Sequence, residues 1–88
     1  MKISFPTLVM PKLTAMGTIS FQALVDDDYI WCEISCEALR DHFGAISLGE
    51  EDLLYTFHQF KEQILKTARN YLEINDGHPV LLTATNFK

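Results

Sequence analysis

Two stretches near the middle of the chain alternate apolar and polar residues. From Thr18 to Val25, Ile19, Phe21, Ala23 and Val25 fall on one side, and Ser20, Gln22 and Leu24 on the other. From Tyr29 to Ile34, Ile30, Cys32 and Ile34 share a side opposite Tyr29, Trp31 and Glu33. A period of two is the signature of a half-buried β-strand. Asp26-Asp27-Asp28 lies between the two and is a turn signal, because aspartate side chains satisfy nearby backbone N–H groups. The pair predicts a β-hairpin.

Its register follows from the same pattern. The two apolar sets must share one face, or half the core is lost. Odd positions of the first strand must therefore oppose even positions of the second, which requires a loop with an even number of residues. Phe21 and Cys32 then face the core. Leu24, Tyr29 and Trp31 gather on the opposite face.

The period then changes. Ser35 is a good N-cap, Glu37 stands in the first turn where the helix dipole favours an anion, and Leu39 and Phe43 are four apart. Gly44 supplies a left-handed stop to a short helix of about Cys36 to Phe43. Ser47-Leu48-Gly49-Glu50 has the spacing of a capping box. One long helix is expected after it, reaching about Tyr71–Ile74. Its stripe is Leu53, Phe57, Phe60, Ile64, Ala68 and Tyr71, widened by Leu54, Leu65 and Leu72. Asn75-Asp76-Gly77 stops it. Residues 79–85 predict a final strand, with Val80, Leu82 and Ala84 on one face and Leu81 on the other.

Residues 1–17, punctuated by Pro6, Pro11 and Gly17, predict an extended arm with a short edge strand near Ile3–Phe5. Phe5, Leu8 and Val9 are expected to tether it. The parts are thus the arm, a hairpin over 18–35, two helices over 36–74 and the last strand. Eighty-eight residues support one domain. The fold class is α+β in two layers. A three- or four-stranded, mainly antiparallel sheet carries one long and one short helix on one face.

Composition narrows the function classes. Twelve acids against seven scattered bases give a net charge of −5, which disfavours a nucleic-acid partner. No apolar run approaches the roughly 20 residues needed to span a bilayer, and the opening residues do not read as a signal peptide. The expectation is a cytoplasmic protein with no membrane partner, in which Cys32 and Cys36 stay thiols.

The stretch Cys32-x-Ile34-Ser35-x-Glu37-Ala38-Leu39-x-Asp41-His42-Phe43-Gly44 resembles a family of short bacterial proteins, the domain of unknown function number 1488. The opening Ile3-x-Phe5-Pro6, the Phe21-x-Ala23 strand, the long helix and the final strand fit as well. The resemblance implies a compact α+β domain alone in its chain, and it implies no activity. Cys36 looks like a departure from the family's pattern.

Little in the chain points to chemistry. Cys32 and Cys36 occur once at a four-residue spacing, with no matching histidine pair, and run from strand to helix. That predicts diverging side chains, no disulfide and no zinc. Cys36 at a helix start is a weak candidate for a reactive thiol, opposed by Glu33 and Glu37. His42 is a second weak ligand candidate. Asp26–Asp28 lacks the spaced ligands of a calcium loop, and the glycines form no phosphate-binding loop. No catalytic residues, metal or cofactor are expected.

The interface candidates are Leu24, Tyr29, Trp31 and Leu81 on the second sheet face. Either the arm covers them or a partner does. An unbroken helix from about Leu48 to Leu72 would be roughly 37 Å long and overhang strands of about 20–23 Å. That excess of apolar surface points to a homodimer, through the aromatic face or the helix end. The preferred reading is therefore a non-catalytic interaction or regulatory protein, binding itself or another protein. A small-molecule or metal-binding module using Cys36 and His42 ranks second, and an enzyme last.

Overall fold

A computed structural model describes residues 1–87 of the chain. The strands are β1 (Ile3–Ser4), β2 (Lys12–Leu13), β3 (Ile19–Val25), β4 (Asp28–Ile34) and β5 (Leu81–Leu82). The helices are α1 (Cys36–Asp41), α2 (Glu50–Gln59) and α3 (Lys61–Ile74), and a final 3-10 turn spans Ala84–Phe87. The fold is α+β, an open mixed sheet in the order β1-β3-β4-β5, with β2 also on the outer edge of β3.

The β3–β4 hairpin has the even loop that the alternation demands. Val25 pairs with Asp28 across the turn residues Asp26 and Asp27, and Phe21 pairs with Cys32. Asp26 adopts a left-handed φ of 54° and is held there from both sides. Its N–H donates to the Lys2 carbonyl at 2.7 Å, and its carboxylate accepts from the Lys2 N–H at 2.9 Å. β1 thus locks the hairpin tip.

The core lies between the helices and the face of the sheet bearing Ile19, Phe21, Ala23, Cys32 and Ile34. Leu53 and Phe57 of α2 and Ile64, Ala68 and Leu72 of α3 close it. The rings of Phe21 and Phe57 lie 5.4 Å apart. Each fully buried side chain of this size contributes about 1.5–3 kcal/mol.

α1 starts as expected: the Ser35 hydroxyl accepts from the Ala38 N–H at 3.1 Å. Gly44 takes a φ of +78°, and the Ala45 N–H bonds the Leu39 carbonyl, so the helix stops there.

Four expectations need correction. The single long helix is two helices, parted at Phe60 with φ −110° and ψ 23°. No proline or glycine marks the break. The Phe60 ring instead lies 5.0 Å from that of Phe43, at the end of α1, and the Thr56 hydroxyl bonds back to the Asp52 carbonyl. Helices of ten and fourteen residues measure roughly 15 and 21 Å, neither longer than the roughly 23 Å of a seven-residue strand, so one long overhanging helix no longer supports a dimer.

The capping box does not form either. Gly49 is the N-cap of α2, and Ser47 spends its hydroxyl on the Asp52 carboxylate at 2.5 Å. The final strand is short and parallel to β4. The Thr83 N–H is taken by the Asn86 side chain at 2.6 Å, which turns the chain out of the sheet into the 3-10 turn. Lastly, the arm adds a second strand, β2, and its Leu8 is no tether: it is 94% exposed.

Candidate interaction surface

The open face of the sheet is built by the residues that the hairpin register turns away from the helices. β3 presents Ser20, Gln22 and Leu24, and β4 presents Tyr29, Trp31 and Glu33. Leu24 pairs with Tyr29, and Gln22 with Trp31. β5 sets Leu81 beside Glu33. The structure thus brings Leu24, Tyr29, Trp31 and Leu81 to one face.

Among the described residues no helix lies over them. Trp31 is 42% exposed, Tyr29 63% and Leu81 53%, while Leu24 is half-buried. The arm covers only the rim of this face, where Ser20 is buried with its hydroxyl on the Lys12 carbonyl. Phe5 tucks under the sheet against Phe21, ring centroids 6.3 Å apart, and Ile3 is buried in the core. The loop at Pro6–Val9 only walls one side, lining a shallow hollow with Gln22 and Tyr29.

A second hollow lies between Trp31, Ser20 and the β2–β3 turn. That turn is pinned by the Thr14 N–H on the Thr18 carbonyl at 2.8 Å, which leaves Met16 exposed at its tip. Lys12 reaches from β2 to place its ammonium 5.2 Å from the centroid of the Trp31 ring. The Thr18 hydroxyl donates to the Glu33 carboxylate, which folds that acid against the sheet. Lys12 and Met16 escaped the sequence reading. Their signal was a second short hairpin, Lys12-Leu13 before a Gly17 turn, hidden by the prolines of the arm.

The two weak ligand candidates sit apart. Cys36 opens α1 and His42 caps its other end, about 9 Å along the axis. The Cys36 thiol donates to the Glu37 carboxylate at 3.3 Å. Desolvation first, and then Glu37, push that thiol above its ordinary range, opposite to what a helix start alone would do. Glu37 itself is held below the usual carboxylate range, chiefly by its own backbone N–H and then by that thiol.

His42 packs its ring on Phe43 and Phe87, at centroid distances of 4.7 and 5.4 Å. Cys32 is buried, and burial raises its thiol too. Both cysteines are free. Among the described residues no three His, Cys, Asp or Glu side chains are grouped to hold a metal ion. No helix among them is long and apolar enough to cross a membrane.

The class this architecture defines is a small α+β domain with one sheet face left open. Over residues 3–82 the chain matches the family described as a protein of unknown function, DUF1488, and it belongs to that family. No curated protein and no solved structure matches it at a significant level.

Proposed function

We propose that the chain is a non-catalytic interaction module that docks a partner protein on the open sheet face. One observation carries this reading: Trp31 and Tyr29 stand together and exposed on a face that the helices leave bare and that the arm covers only along its rim, at Ser20 and by the Lys12 side chain. Exposed rings beside Leu24 and Leu81 have the make-up of an interface centre, where tryptophan and tyrosine dominate binding energy. Lys12 and Glu33 supply a charged rim. Cys36 and His42 stand at opposite ends of α1, so they give no support to a metal or small-molecule site.

A photo-crosslinking residue at Leu81, compared with one at Gln63 on the helix layer, tests it. A specific adduct is expected from position 81 and not from 63, and Trp31→Ala should abolish it. Equal labelling from both positions, or an adduct indifferent to Trp31, would overturn the reading.

A further inference from the structure

We infer that the groove between the outer edge of β1 and helix α3 docks an extended, acidic segment of another protein. This surface is separate from the open sheet face and does not depend on the role proposed for it.

Ser4 and Phe5 line the groove on the strand side, and Glu62, Leu65, Lys66 and Arg69 line it on the helix side. Phe5 and Leu65 are half-buried and pack against the core, so they give the groove an apolar lining. The Arg69 guanidinium lies 6.0 Å from the centroid of the Phe5 ring. One turn before Leu65 on the same helix face, Lys61 joins Phe5, Pro6 and Leu65 around a continuing cleft.

Charge singles out the occupant. Nine of the twelve acids precede α3, whereas residues 61–69 hold three of the seven bases and a single acid, Glu62. Among the described residues no carboxylate comes within 4 Å of Lys61, Lys66 or Arg69. An acidic chain thus carries a basic groove whose cations are unpaired, and a carboxylate-bearing segment is complementary to it. A nucleic acid is not. The net charge of −5 repels a polyanion, and three bases release few counterions.

The main chain favours an extended ligand. The Asp26 N–H donates to the Lys2 carbonyl, and Ser4 pairs with Leu24, so even positions of β1 face β3. Phe5 has the opposite parity. Among the described residues its N–H and C=O meet no hydrogen-bond partner. Such edge groups are satisfied by an added strand. The spacing agrees: Lys61 and Arg69 are about 12 Å apart along the helix, and residues four apart in a strand about 13 Å. Acids at alternate positions of the segment therefore reach from Lys61 to Arg69, with Lys66 alongside. Glu62 opposes them, so removing its charge should tighten binding.

Selection of random seven-residue peptides displayed on phage, using the full chain as bait, tests this. Synthetic copies of the selected peptides are then titrated while the amide resonances of the chain are followed. The expected peptides carry Asp or Glu at alternate positions and shift Ser4, Phe5 and residues 61–69. Reversing both Lys66→Glu and Arg69→Glu should weaken them at least tenfold, and Glu62→Gln should tighten them at least twofold. Peptides without acidic enrichment, shifts confined to the Trp31 face, or affinities indifferent to these changes overturn the inference. So does a single-stranded oligothymidylate, or a second copy of the chain, binding through the same residues. If the charge-reversed variant does not fold, the Glu62→Gln titration decides alone.

Discussion

Phe60 sets its ring 5.0 Å from that of Phe43, at the point where the helical layer divides into α2 and α3. The contact joins the end of α1 to the break, and Phe87 closes on Phe43 from another side, also at 5.0 Å. Phe60→Ala should therefore loosen three elements at once. Phe60 is half-buried, so the expected loss is about 2 kcal/mol, below the range for a fully buried ring. Urea unfolding measures it, and a loss of a few tenths would show the contact to be incidental.

Trp31 and Ile34 lie on the same strand with opposite fates. Trp31→Ala removes an exposed ring and its Lys12 contact, so stability should fall by only about 1 kcal/mol while binding at the open face is lost. Ile34→Ala empties a fully buried site and should cost about 3 kcal/mol. Thermal unfolding of both variants, read beside crosslinking, separates the binding residue from the core residue.

Two glycines with left-handed backbones predict unequal costs. Gly44 has a φ of +78° with no atom within 4 Å of an added Cβ, so Gly44→Ala should cost about 1 kcal/mol from backbone strain alone. Gly77, at +79°, would also drive its Cβ to 2.8 Å from Val25 Cγ1. Gly77→Ala should cost at least twice as much, because valine is stiff and cannot turn aside. Equal losses would show that the strand shifts freely at Val25.

The thiols should be sluggish. Burial and then the Glu37 carboxylate raise the Cys36 pKa, so less thiolate is present at neutral pH than for a free cysteine. Alkylation of Cys36 should therefore be slower than that of a model thiol and climb with pH into a higher range. Glu37→Gln should shift that rate profile toward lower pH. Cys32, buried in the core, should react only on unfolding. A thiol at position 36 faster than the model compound would contradict this.

Much of the sheet was legible because period-two alternation has few solutions. Once Phe21 and Cys32 had to share a face, the even loop followed, and with it the exposure of Trp31. Ser35 and Gly44 were legible because capping chemistry is local. The break at Phe60 was not, since the stripe from Phe57 to Ile64 runs on without a breaker and the cause is a ring on another helix. The direction of β5 was hidden for a similar reason: Leu81 and Leu82 read as strand in any orientation. On the open face, Leu24, Tyr29, Trp31 and Leu81 could be found by alternation. Lys12 could not, because a two-residue strand directly after Pro11 carries almost no periodicity.

Ser35 joins parts of the chain that are far apart in sequence. Its hydroxyl caps α1, while its N–H is fastened to Leu82. The hairpin can zip locally, but the clasp at Leu82 closes a long loop that includes both later helices, so it belongs to the end of folding. Until then β4 carries its whole outer edge bare, from Asp28 to Ile34. With β5 in place, the Glu33 and Ser35 N–H groups are bonded, and only the stretch of β4 nearer the turn keeps an unpaired edge.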